Sequence, residues 1–225
     1  MGIHMMPPLY EKVIKPPIWK LLLFEEWNTD PSTRWYFSAA NWELSTSEYV
    51  SAPTSLRETI NGTVEFILPL WAVYPDCRCI PEGEINSWFR PRFRVGRPLG
   101  FHFRNQATEG TYSALGYRML LHPTAIDVLV RYVINSTSYD EAVASWALAV
   151  TDGAWSRWSL RWWNRGADIA LELRSWDGAK WVSEGIQYGL DADHHSLYKD
   201  SLINRAGLTH SYQSYLDDTE IWGLS

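Results

Sequence analysis

From Ile126 to Ile134 the chain alternates: Ile126, Val128, Val130, Tyr132 and Ile134 fall on one side, with Asp127, Leu129 and Arg131 opposite. A period of two with one apolar side is the pattern of a β-strand with one buried face. Short strand-like runs fill much of the rest. They cover Ile18 to Glu25, Arg34 to Leu44, Ser55 to Ile60, Thr63 to Tyr74, Trp88 to Val95, Leu99 to Arg104 and Tyr112 to Leu121. Others span Trp155 to Trp163, Asp168 to Trp176, Lys180 to Ser183, Ala206 to His210 and Tyr215 to Trp222. Turn signals punctuate them at Asn61-Gly62, Asp152-Gly153, Asn164-Arg165-Gly166 and Asp177-Gly178. Glu141 to Val150 has the alanine content of a helix, yet Trp146, Leu148 and Val150 alternate, and we read it as strand. Asn135 to Asp140 and Leu190 to Ser201 read as polar loops. About a dozen short strands at this spacing predict an all-β, two-sheet antiparallel sandwich.

The composition supports a packed domain: 225 residues, 46% hydrophobic and 20% charged, with no bias toward disorder, collagen or coiled coil. Aromatic residues are in excess, with 14 Trp, 12 Tyr and 7 Phe. Such residues favour strands and large contact faces. A net charge of -6 argues against nucleic acid as the main partner. The longest apolar stretches, Ile18 to Phe24 and Phe66 to Val73, are broken by Lys20 and Pro69. Both fall short of the roughly 20 residues a bilayer span needs, so no membrane insertion is expected. Cys77 and Cys79 are too close in sequence for an unstrained bridge, and no disulfide is expected.

The first 18 residues have a different texture. Pro7, Pro8, Pro16 and Pro17, with Tyr10 between them, favour an extended arm suited to lying on another protein subunit. The stretch has no charged lead, apolar core and small-residue cleavage site in sequence, so no secretory signal is read there. The expected organisation is an arm over residues 1–18 and one domain over 19–225.

Several local patterns carry a resemblance. Gly116-Tyr117-Arg118-Met119-Leu120-Leu121 is followed by Ile126 to Arg131, Trp158-Ser159-Leu160-Arg161, Ile169 to Leu173, and Ala206-Gly207-Leu208. The order ends in Tyr215-Leu216-Asp217-Asp218-Thr219-Glu220-Ile221, and Leu23 to Glu26 and Ala52 to Arg57 resemble its opening strands. Together they resemble the concanavalin A-like lectin/glucanase jelly rolls, laminin G-like domains and carbohydrate-binding modules included, over about residues 20–225. The resemblance implies a jelly-roll sandwich. It also implies a structural calcium shared by the two chain ends, with Glu25 or Glu26 and Asp217 or Asp218 as candidates; solvated strand ends are the alternative.

Glucanases of that superfamily place paired carboxylates on one strand about 5 Å apart. The nearest match, Glu82-Gly83-Glu84, lacks the intervening aspartate and the second glutamate at its place, and it follows Pro81, where a loop is expected. No complete catalytic motif is present, and the chain reads as non-enzymatic. Asp191-Ala192-Asp193-His194-His195 gathers metal-ligand types, though polar loops collect such residues anyway. Cys77 and Cys79 read as free thiols.

The aromatic residues offer the richest signal. Strand alternation places Trp162 and Trp163 on opposite faces, so one of them faces outward. An exposed indole is a stacking surface for a sugar ring, and Arg161 could bond its hydroxyls. Trp88 with Arg90, Arg92 and Arg94 predicts a second face of that kind. Burial in the core or against a subunit is the competing account of these rings.

Two functional readings follow. The first is a non-enzymatic structural or adhesive subunit of a large assembly, such as a capsid-decorating or tail protein of a phage or other virus, located on the virion. The second is a carbohydrate-binding module or lectin binding polysaccharide through exposed Trp. A glycoside hydrolase ranks third.

Overall fold

A computed structural model describes residues 18–37, 42–51, 53–59, 64–93, 99–108, 115–166, 168–189, 198, 201–211 and 213–224. Fifteen strands account for most of them. The first five are β1 (Trp19–Glu25), β2 (Trp35–Phe37), β3 (Trp42–Ser45), β4 (Ser55–Glu58) and β5 (Val64–Pro69). A 3-10 turn, Pro75–Arg78, precedes β6 (Gly83–Arg90), β7 (Leu99–Asn105), β8 (Gly116–Leu121), β9 (Ile126–Ile134) and β10 (Thr137–Trp146). The last are β11 (Ser156–Arg165), β12 (Asp168–Trp176), β13 (Trp181–Tyr188), β14 (Arg205–Ser211) and β15 (Tyr215–Leu224).

The strands form two antiparallel sheets, as expected. One has eight strands in the order β13-β12-β11-β6-β15-β4-β3, with β1 also paired to β15; the other has seven, β10-β9-β8-β7-β14-β5-β2. β15 organises the larger sheet. One of its edges pairs with β6, while the other takes β4 at Tyr215 and Leu216 and β1 from Thr219 to Leu224.

The core lies between the sheets. Ile85, Phe89, Leu160, Leu171, Leu173 and Ile221 meet Phe101, Phe103, Tyr117, Met119, Val128 and Leu208, all with no exposed surface. Phe89 packs on Phe101 and Phe103 on Trp162, each with ring centroids 5.0 Å apart. Fully burying such a side chain contributes about 1.5–3 kcal/mol. Along one side the two sheets close on each other: the Ser145 N–H donates to Gln187 Oε1 at 3.0 Å, and Trp146 Nε1 donates to the Gly185 carbonyl at 3.3 Å. These bonds occupy two sheet edges that would otherwise be open to pairing.

The structure redraws several expected elements. The run from Arg34 to Leu44 is two strands in different sheets, β2 and β3. Asn135 to Asp140 is no loop: Asn135 and Ser136 take positive φ angles of 48° and 66°, a two-residue hairpin turn, and β10 begins at Thr137. β6 starts at Gly83 and ends at Arg90, so Glu84 sits on a strand and Arg92 lies beyond it. The Asn61-Gly62 turn, the arm residues Pro7, Pro8, Tyr10, Pro16 and Pro17, and the Asp191 to His195 loop lie outside the described residues.

Candidate functional site

Alternation along β6 points Ile85, Ser87 and Phe89 into the core and Glu84, Asn86 and Trp88 out of the larger sheet. The neighbouring strands obey the same period: β11 presents Arg157, Ser159, Arg161 and Trp163 outward, and β12 presents Glu172, Arg174 and Trp176. Register then assembles rows across the sheet. Glu172, Arg161, Glu84 and Trp222 are successive cross-strand partners. Arg174, Ser159, Asn86 and Glu220 form the adjacent row.

Glu84 is the hub of this face. Its carboxylate accepts from Ser159 Oγ at 2.9 Å, from Arg161 Nε at 2.7 Å and from Arg174 Nη2. Arg161 also reaches Glu172 at 3.4 Å. Glu220 anchors a second knot: Arg157 Nη2 donates to it at 2.8 Å and to Asn86 Oδ1 at 2.9 Å, and Trp222 Nε1 donates to it at 2.9 Å. Burial pulls the Arg174 guanidinium below its usual range, while the adjacent Glu84 pushes it back up.

Indoles wall the polar floor. Arg161 lies over Trp19 with its guanidinium 5.3 Å from the ring centroid, and Arg174 lies over Trp181 at 5.1 Å. Arg157 stands 5.3 Å from Trp181 and 5.9 Å from both Trp88 and Trp176. The result is a pocket of about 190 Å³ lined by Trp19, Trp181, Trp222, Glu84, Asn86, Arg161, Arg174 and Glu220. Aromatic faces beside convergent hydrogen-bonding groups can both stack on a small ligand and orient it.

Of the residues expected to form a platform, Arg161 lines this pocket, and Trp88 and Arg90 are further along the same face. Trp163 points outward from β11 but does not line the pocket. Trp162 is no platform. It has no exposed surface, and its Nε1 donates to the Ile80 carbonyl at 3.3 Å. Arg92 does not extend a row of arginines on β6, because its backbone N–H donates to Ser214 Oγ at 3.1 Å past the strand's end. Trp19, Asn86, Arg174, Trp181, Glu220 and Trp222 were not singled out from sequence. Alternation marks each as outward, but only the register between strands brings them together.

The carboxylates at the two chain ends bind protein donors. Glu25 accepts from Arg34 Nε and Nη2 at 3.1 and 3.0 Å, from Trp35 Nε1 at 2.9 Å and from the Trp27 N–H at 3.2 Å. Glu26 accepts from Asn28 at 2.5 Å. Asp217 accepts the N–H groups of Val50 and Ser51 at 2.7 and 2.9 Å, and Ser51 Oγ stands 2.9 Å from it and 2.7 Å from Asp218. Burial raises the Asp217 carboxyl, with Asp218 adding to the rise. A guanidinium where a cation would sit does not fit a calcium site at Glu25. Among the described residues no group of three or more His, Cys, Asp or Glu could hold a metal.

Glu82 and Glu84 do not form a catalytic pair. Glu84 lines the indole pocket, whereas Glu82 lines a separate cavity of about 410 Å³ with Lys20, Asp76, Arg78 and Cys79. Cys77 and Cys79 are free thiols; Cys77 is buried, which pushes it up to about 12.

This architecture is that of the concanavalin A-like jelly rolls. Among solved structures, a carbohydrate esterase of the Shiga toxin-encoding bacteriophage phi24B is similar with a TM-score of 0.54 and 11% identity, over 92% of this chain and 100% of that one. The exoplasmic/lumenal domain of VIP36, bound to calcium and a mannose-containing glycan, gives 0.49 and 13% over 88% of each chain. The carbohydrate-binding module CBM66 of Bacillus subtilis gives 0.45 and 12% over 84% of this chain and 92% of that one. The likeness is one of fold. No family model matches the chain, and no curated protein matches it.

Proposed function

We propose that this jelly roll is a non-enzymatic carbohydrate-binding domain that takes its ligand in the indole pocket on the outer face of the larger sheet. The observation that carries the reading is the pocket itself, where Trp19, Trp181 and Trp222 surround the Glu84, Arg161 and Glu220 floor. A polar floor between aromatic walls suits a ligand with hydroxyls at its rim and C–H groups on its faces.

A hydrolytic reading finds less support. The Ser-His-Asp arrangement for acyl transfer places the histidine between the serine and the carboxylate. Here Ser145 Oγ bonds Asp127 directly at 2.5 Å, and His122 meets the other oxygen of that carboxylate at 3.6 Å. Glycoside hydrolysis commonly uses two carboxylates flanking one bond; Glu82 and Glu84 open to different cavities, and the two that share the pocket, Glu84 and Glu220, are each bound by arginine.

Tryptophan fluorescence across a broad polysaccharide panel tests the proposal. Binding of at least one glycan is expected, with Trp181→Ala weakening it about tenfold or more, as expected for a buried aromatic anchor. Absence of binding across the panel, or full binding by the variant, would remove it.

A second reading, as a structural subunit of a large assembly such as a phage or viral particle, is favoured by one observation. β1 and the residue before it expose Ile18, Leu21 and Phe24 at 68%, 43% and 47%, apolar side chains suited to burial against a neighbouring subunit. Light scattering that finds only a monomer in every context, isolated and in purified particles, would exclude it. The two readings meet on one face: Leu21 and Phe24 are the cross-strand partners of Trp222 and Glu220, so a subunit seated on them would border the pocket.

A further inference from the structure

The charges in the pocket are already spent on one another. Arg161 and Arg174 bind Glu84, Arg157 binds Glu220, and Glu172 takes the second contact from Arg161. Three guanidiniums face three carboxylates on this part of the face, so among the described residues of the floor no cation is left over to match a ligand's negative charge. The whole chain carries a net charge of -6, which further opposes an anion. An acidic sugar would set its charge beside Glu84 and Glu220, and pairing it with Arg161 or Arg157 would weaken a part-buried ion pair, a costly exchange.

A neutral polyol faces no such barrier. A hydroxyl both donates and accepts, so it can add to an ion pair without breaking it. Arg161 offers such a group: it bonds through Nε and Nη1, and Nη2 makes no hydrogen bond among the described residues. Glu220 and Asn86 offer acceptors on the opposite side of the floor. The volume, about 190 Å³, is below the roughly 300–1,000 Å³ of clefts that take drug-sized ligands, and suits a single ring between indoles.

Resting on the carbohydrate-binding reading above, we infer that the pocket accepts one uncharged sugar ring of a neutral glycan and rejects uronic, sialylated and sulfated sugars. The balanced Arg–Glu floor is the selectivity device. It leaves an anion's own charge without a counter-charge and leaves hydroxyl recognition to groups held in place by their mutual ion pairs.

The test is binding of the full chain to matched oligosaccharide pairs, neutral gluco-, galacto-, manno- and fructo-oligomers against their uronic acid or sulfated counterparts. Each pair is measured at about 0.01 M and about 1 M salt, where screening lengths are near 30 and 3 Å. The inference expects a neutral member to bind, its acidic counterpart to bind at least about tenfold more weakly, and the neutral affinity to change less than about twofold with salt. Trp181→Ala should abolish that binding, while Trp163→Ala, on the same face but outside the pocket, should preserve it; both variants are checked for native circular dichroism. Preference for the acidic members, weakened by salt, would overturn the neutral-sugar inference and leave the carbohydrate reading standing. Binding to no member of either set would overturn both, as would neutral binding equally lost in Trp163→Ala and retained in Trp181→Ala.

Discussion

Glu84 holds two guanidiniums and a hydroxyl on a face where its own side chain is only 7% exposed. Its partner Arg174 is nearly as buried, so truncating the carboxylate strands a charge in a place with little water. Breaking one half of such a pair costs about 3–5 kcal/mol when fully buried; Arg161, being 30% exposed, regains solvent and lowers the cost. Glu84→Ala is therefore expected to destabilise by about 2–3 kcal/mol in urea unfolding, with Glu84→Gln costing less. A loss within about 0.5 kcal/mol would show that the knot is ornamental to the fold. His102, on the outer face of the smaller sheet, sets a pH dependence. Burial pulls it well below its usual value near 6.5, and the nearby Arg118 and Arg131 guanidiniums add to the fall. The folded protein thus keeps it neutral while the unfolded chain takes up a proton. Its contribution is complete above pH about 6.5 and is lost as pH falls toward the lower folded value, at up to about 1.4 kcal/mol per pH unit. His102→Gln should flatten stability against pH between about 6.5 and 5, whatever it does to stability at neutral pH. An unchanged slope would assign the acid sensitivity to other groups.

At the scale of elements, strands such as β9 and β12 were legible because their alternation is carried by aliphatic residues, and local sequence suffices for that. β6 was not. Its outward residues include a glutamate, an asparagine and a tryptophan, and an inward one is Ser87, so apolar alternation is blurred where the outer face of the sheet is polar. Gly83 opens that strand because a Cβ there would sit 2.7 Å from both the Trp222 carbonyl oxygen and the Trp162 ring. The β9–β10 hairpin was hidden for a different reason: Thr137 to Asp140 are exposed, so polarity there reports solvent, not a loop. Its turn places Ser136 at φ 66°, a left-handed conformation that costs a non-glycine residue roughly 1–2 kcal/mol. Ser136→Gly is expected to stabilise the protein by about 0.5–1 kcal/mol, seen as a higher urea midpoint at constant slope. A lower midpoint would mean that the chain entropy of glycine outweighs the relieved strain.

At the scale of the whole molecule, the two-sheet class could be read from strand number and spacing, but the strand order could not. The site depends on that order. Trp19, Glu84, Arg161, Arg174, Trp181 and Trp222 come from six strands that lie side by side only because β15 inserts between β6 and β1. The same insertion brings Glu25 opposite Thr219, close to the chain-end carboxylates expected to share calcium. Once there, Glu25 is taken by Arg34 and Trp35, and Asp217 by Val50 and Ser51. The first set of bonds ties β1 to the start of β2, and the second ties β15 to the segment between β3 and β4. A cation bound only by the folded form, present at 100 times its dissociation constant, would add about 2.7 kcal/mol, or about 5–10 °C for a domain of this size. The thermal midpoint is instead expected to agree within about 1 °C between excess calcium and excess chelator, and Arg34→Ala to lower it by several degrees in both. A calcium-dependent rise of the midpoint, abolished by Glu25→Gln or Asp217→Asn, would reassign these carboxylates from protein donors to a metal.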